Sequence, residues 1–175
     1  MAPVALLGDL QGQPAIADTV VVEDDAAFPD AQHFLEVAGK GHKGGGMRAI
    51  DTNVIARHLT GDHPTQSPSA RVIIEGGAIF APVAVVLEAQ WVLRSLYEYR
   101  SVDVIDALRA FAGLPTVTVE DEALVAAALD LAGKGMDFTD ALHLCRSTHC
   151  ESFLMFDRKL VKAARALSNA MVSNV

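Results

Sequence analysis

Ala78-Ile79-Phe80-Ala81-Pro82-Val83-Ala84-Val85-Val86-Leu87-Glu88-Ala89-Gln90-Trp91-Val92-Leu93 is the stretch that decides the architecture. Its first four residues follow Gly76-Gly77 and form a short apolar run of strand length. Pro82 ends the strand, and its fixed φ suits the first position of a helix, which is expected to reach about Tyr97. The same punctuation recurs outward on both sides. Upstream, residues 48–51 read as a short strand ending in an Asp-Thr-Asn turn. Residues 54–59 read as a helix stopped by Thr60-Gly61, and residues 64–75 as a second helix. Downstream, a helix capped by Ser101 or Asp103 runs to Ala112 and is closed by Gly113-Leu114-Pro115. Residues 116–119 are β-branched and form a strand. Residues 120–132 and 138–149 read as helices, 152–156 as a strand, 158–167 as a last helix and 170–172 as an edge strand. Strands alternating with helices require a parallel sheet covered on both faces, so the fold class is α/β.

The chain has 175 residues with 51% hydrophobic and 21% charged residues, which suits one domain with a full core and excludes a disordered chain. The longest apolar run, residues 78–87, is broken by Pro82 and is too short to span a bilayer. Met1-Ala2-Pro3-Val4 offers no basic leader, and two cysteines make no disulfide framework, so a cytoplasmic location without membrane association is expected. The formal charge of −8 and pI near 5.1 argue against a charge-driven nucleic-acid binder. They do not argue against an acid-rich metal site, whose carboxylates are neutralised by the ion.

A seam lies at Gly39-Lys40-Gly41-His42-Lys43-Gly44-Gly45-Gly46, which no helix or strand interior would carry. Before it, residues 1–46 carry two lysines against seven acids and show only a short strand pattern over 19–23 and a short helix pattern over 30–37. Lys43-Gly44-Gly45 can be encoded as a purine-rich ribosome-binding sequence ahead of Met47. Residues 1–46 therefore read either as upstream sequence translated from an earlier start or as an appendage tethered by a flexible linker. Residues 47–175 form the expected domain.

In open α/β sheets function sits at the carboxyl ends of the strands. Asp51 follows Ala49-Ile50 at one such end, and Asp157 follows Leu154-Met155-Phe156 at another. Glu88 lies in a helix that is apolar on nearly every side, where an unpaired carboxylate needs a cation, a partner or a water-filled cleft. Asp140 sits one turn into another largely apolar helix, and Asp137 shares its face. Four acids from four elements, with no sulfur ligand, describe a hard-cation site for Mg²⁺ or Mn²⁺. Such a site suits phosphoryl chemistry, in which two ions roughly 3.5–4 Å apart activate a water and stabilise the leaving oxygen.

Met47-Arg48-Ala49-Ile50-Asp51-Thr52-Asn53-Val54, Glu88-Ala89-Gln90-Trp91-Val92-Leu93-Arg94, Gly135-Met136-Asp137-Phe138-Thr139-Asp140-Ala141-Leu142-His143-Leu144 and Phe156-Asp157-Arg158 occur in this order. Together they resemble a PIN-domain ribonuclease of the VapC toxin type across residues 47–175, and nothing in 1–46 takes part. The resemblance implies a three-layer α/β/α fold with a parallel sheet of about five strands. It implies that Asp51, Glu88, Asp140 and Asp157 bind the metal and carry catalysis. Thr52 and Asn53 would orient Asp51 or a water, and Thr139 and Asp137 would line the site. The implied activity is Mg²⁺- or Mn²⁺-dependent endoribonucleolytic cleavage of RNA, tRNA or rRNA among the targets, leaving 5′-phosphate and 3′-hydroxyl ends. The implied partners are a cognate antitoxin and a second copy of the chain in a homodimer.

Plainer readings exist for each residue. Asp137 and Asp157 are expected helix caps as well as site candidates, Glu88 has Arg94 or another arginine across the domain as an ion-pair candidate, and Trp91 reads as core rather than as a stacking platform. His143, Cys145, His149 and Cys150 share no helical face and give no zinc pattern. Arg158, Lys159, Lys162 and Arg165 read as a solvated helix face, with RNA phosphates as the competing partner. Two other functions compete with the nuclease. One is a non-catalytic PIN-like binding module. The other is a phosphatase with Asp51 as nucleophile, which Asn53 disfavours because a second acid is usual there.

Overall fold

The computed structural model describes residues 46–166 and 172–174. The strand expected over 19–23, the helix over 30–37, most of the glycine-rich seam and Ala170 lie outside the described residues. Chain order is β1 (Arg48–Ala49), α1 (Thr52–Thr60), α2 (Gln66–Glu75), β2 (Ile79–Ala81), α3 (Val83–Ser95), α4 (Ser101–Ala112), β3 (Val117–Val119), α5 (Glu122–Gly133), α6 (Phe138–Arg146), β4 (Phe153–Met155), α7 (Arg158–Ala166) and β5 (Val172–Asn174). The class is α/β and every strand pair is parallel.

β2 is central in a sheet ordered β1-β2-β3, with Arg48 opposite Ile79 and Phe80 opposite Thr118. β4 pairs with β5 in a separate ladder. The expected five strands are present, but among the described residues they are split three and two. β1 is only two residues long, and Ile50 spends its N–H on the Phe80 carbonyl at 3.1 Å.

Both ends of α1 are set by the sequence. Asp51 caps it, accepting from the Val54 N–H at 3.0 Å. Gly61 ends it at φ 65°, a left-handed conformation that favours glycine. α6 stops at Arg146, three residues short of the expected His149. The Ser147 hydroxyl donates to the His143 carbonyl at 2.8 Å and its N–H is shared between the His143 and Leu144 carbonyls, so local bonds displace the next helical turn.

Ile55, Leu59, Ile74, Ile79, Leu93, Ile105, Leu108, Phe111, Phe138 and Leu144 are fully buried in one contiguous core. Each contributes on the order of 1.5–3 kcal/mol by leaving water. His58 is embedded beside Phe111, and neither ring nitrogen has a hydrogen-bond partner among the described residues. Burial, helped by Arg71 and opposed by Glu75, pushes its pKa below the ordinary range. Where α1 ends, Arg57, Thr60 and Tyr97 all bond the Asp62 carboxylate, the tyrosine hydroxyl donating at 2.9 Å. That cluster ties the α1–α2 turn to the residues just after α3. Among the described residues, no helix is long and apolar enough to cross a membrane.

Candidate active site

The carboxyl ends of β1, β3 and β4 carry acids, and each acid is committed to the helix that follows or lies nearby. Asp51 sits after β1 at the α1 N-terminus. Asp157 sits after β4 and accepts from the Leu160 N–H at 3.2 Å at the start of α7. Glu120, which sequence reading passed over, follows β3 and accepts from the Val83 N–H at 2.9 Å. It supplies the cap that Pro82 lacks, because the proline side chain has no acceptor. Helix N-termini carry partial positive charge, so each of these carboxylates is held by backbone N–H groups as well as by solvent.

Glu88 is exposed on α3 and reaches α1. The buried Thr52 hydroxyl donates to its Oε2 at 2.5 Å. Of the alternatives expected for this residue, the structure shows a partner. Its partner is Thr52, and Arg94 turns elsewhere. Arg94 meets Asp137 at 3.4 Å, with the two side chains 42% and 45% exposed. Asp137 also caps α6 by accepting from the Thr139 N–H at 2.9 Å.

Asp140 lies half-buried in the first turn of α6. Burial pushes its carboxyl above the ordinary carboxylate range, and the Asp137 and Asp157 charges add to that push while His143 opposes it. The fold therefore brings Asp137, Asp140 and Asp157 into one electrostatic neighbourhood. It brings Thr52 and Glu88 together separately, and the Arg94–Asp137 pair links the helix of Glu88 to the helix of Asp140. Asn53 is exposed beside Asp51, and Thr139 is half-buried beside Asp140.

Among the described residues, no three His, Cys, Asp or Glu side chains stand arranged to hold a metal ion. The raised Asp140 carboxyl reflects burial first and the neighbouring Asp137 and Asp157 charges after it. The donor set fits a hard divalent cation in its chemistry, since every candidate ligand is an oxygen and the local charge is one that a cation relieves. Cys145 and Cys150 are free, and burial pushes the Cys145 thiol up, away from the thiolate a soft metal requires.

Trp91 departs from the core expectation, being 57% exposed. α3 is apolar on nearly all sides, but only Val86, Ala89, Gln90 and Leu93 are buried, with Val83, Val85 and Leu87 partly covered against the core. Trp91 is three residues from Glu88 and so lies beside it on the outer face. Arg158, Lys162 and Arg165 of α7 are exposed, as expected for a solvated face.

No curated protein matches the chain. The PIN domain family model matches residues 49–166, more than half of the chain and the same span that carries the acids at the strand ends. The chain belongs to the PIN domain family, whose members are generally Mg²⁺-dependent nucleases.

Proposed function

We propose that this protein is a metal-dependent endoribonuclease that hydrolyses RNA phosphodiester bonds, and that it serves as the toxin of a VapC-type toxin–antitoxin pair. The observation that carries the reading is the placement of Asp140 where Asp137 and Asp157 crowd its carboxyl, in a domain of the PIN family. The Asp137 and Asp157 charges both act on Asp140, and Asp137 also pairs with Arg94. Asp51, Glu88, Asp140 and Asp157 would hold Mg²⁺ or Mn²⁺, with Thr52, Asn53, Asp137 and Thr139 lining the site.

A bound divalent ion supplies charge stabilisation for the phosphodiester and lowers the pKa of an attacking water. The protein's own contribution is positional. Thr52 fixes one Glu88 oxygen, leaving the other for an incoming cation. Asp51 and Asp157 are held against helix N-termini, which limits their rotamers before an ion arrives. The remaining parts of the proposal are a tRNA or rRNA target, a cognate antitoxin, a homodimer and a cytoplasmic location. Residues 1–46 are proposed to be an extension outside the nuclease domain.

The test is incubation of RNA with the full chain in Mg²⁺, Mn²⁺ or EDTA. Discrete fragments with 5′-phosphate ends that disappear in EDTA are expected. Intact RNA in both metals overturns the nuclease reading and favours a non-catalytic binding module.

A further inference from the structure

Arg94 and Asp137 form a wall shared by the candidate site and a cavity of about 420 Å³. Ser101 and Val102, from the first turn of α4, line another side, and Gly135 and Met136, from the α5–α6 connection, line a third. The volume falls within the range of small-molecule sites, about 300–1,000 Å³. Its chemistry is divided, with a guanidinium and a hydroxyl among the polar groups, the exposed Val102 side chain as apolar surface and the buried Met136 behind it. A nucleotide is divided in the same way, into an anionic phosphate and a flat base. Gly135 is at φ 98°, and a Cβ there would meet nothing within 4 Å, so that stretch of wall is bare backbone facing open space.

Arg94 can change partners at small cost. Its bond to Asp137 is long at 3.4 Å and exposed on both sides, a kind of pair that contributes little in water. A phosphate beside Asp137 would draw the guanidinium into a charge-assisted pair. A second cavity, of about 320 Å³, makes a contrast. Its Arg109 is already committed to Asp106, Asp130 and the Leu129 carbonyl, and none of the candidate acids lines it.

We propose that the cavity behind Arg94 is a nucleotide subsite for the RNA strand, with a base against Val102 and the Gly135 backbone and a phosphate on Arg94, next to the phosphodiester that the acids address. The inference rests on the nuclease reading for the identity of the strand. Its nucleotide chemistry is tested separately.

The experiment titrates the four ribonucleoside 5′-monophosphates into the full chain by calorimetry, in EDTA so that neither cleavage nor metal contributes. At least one is expected to saturate. Arg94→Gln and Val102→Trp, the second filling the cavity from an exposed position, are each expected to weaken it at least 10-fold while circular dichroism stays native. In RNA cleavage the same two variants are expected to raise KM by about 10-fold with kcat within 2-fold, a split that general loss of folding does not produce. No saturation by any of the four, or native affinity in Val102→Trp, overturns the proposal. Unchanged nucleotide affinity with an altered oligomeric state in Val102→Trp also overturns it and assigns the cavity to a protein partner. Nucleotide binding by a chain that cleaves no RNA supports the subsite and overturns the nuclease reading instead.

Discussion

Thr52→Val removes one hydroxyl from a buried position and leaves the helix path of α1 unchanged, because valine has the same branching. The lost bond is the 2.5 Å contact to Glu88 Oε2. A hydrogen bond to a charged group contributes about 1.5–3 kcal/mol when both ends are sealed from water. Glu88 is exposed, so water replaces the hydroxyl at its oxygen, and valine gains some apolar burial. The expected cost is therefore lower, about 1 kcal/mol, or a fall of about 3–5 °C in Tm for a domain of this size. The effect on the site should be larger than the effect on stability. A ligand freed of its supporting contact loses about 10- to 100-fold in metal affinity or activity, so Mn²⁺ affinity of Thr52→Val should fall at least 10-fold. Thr52→Ser, which keeps the donor, should stay within about 3-fold of the native chain. Calorimetric Mn²⁺ titration and thermal melting in EDTA measure the two quantities. Native melting and native Mn²⁺ affinity in Thr52→Val would refute the idea that this bond sets the position of Glu88.

Asp140→Asn removes a carboxylate whose charged form the fold penalises. The penalty exists above its raised pKa and vanishes once pH falls below the ordinary carboxylate value. The variant should thus melt higher than native at pH 7 in EDTA, lose that advantage below about pH 4, and show no cleavage. Tyr97→Phe deletes a donor to Asp62 and should cost about 1 kcal/mol in urea unfolding. Burial pushes the Asp62 carboxyl up, but the bonds from Thr60, Arg57 and Tyr97 together bring it below the ordinary range. That stability is present above the unfolded carboxylate pKa and is lost as pH falls through the folded one, so Tyr97→Phe should shrink the acid-side loss. His58 runs the other way in charge. Its lowered pKa favours the neutral ring, so stability is full above the unfolded pKa of about 6.5 and falls as pH drops below it. Replacing the ring by leucine should flatten unfolding free energy between pH 7.5 and 5.5, and an unchanged slope would contradict its burial as a neutral group.

The residues that break the chain were readable, and those that choose a face were not. Pro82, Gly61 and Gly113 end elements in the structure where their backbone chemistry says they should. The order of acids after strands could be read for the same reason, since short apolar runs and their polar ends are local features. Trp91 was misjudged because an α3 apolar all round does not say which stripe meets the sheet, and tertiary packing chose Val86, Ala89, Gln90 and Leu93. The same choice exposed Glu88. Its contact with Thr52 spans 36 positions and has no sequence signature. Arg94 had two acids within reach, and the crossing of α3 with α6, not the sequence spacing, gave it Asp137. The helix end at Arg146 turned on a single serine hydroxyl, a competition that apolar periodicity does not register.

Mn²⁺ titration of the full chain, alone and with Asp51→Asn, Glu88→Gln, Asp140→Asn or Asp157→Asn, is the most direct test of one shared cation site. The expected result is saturable binding that each of the four substitutions weakens at least 10-fold with the fold intact. No binding by the native chain, or native affinity in any of the four variants, would contradict the assignment of these acids to a single metal site.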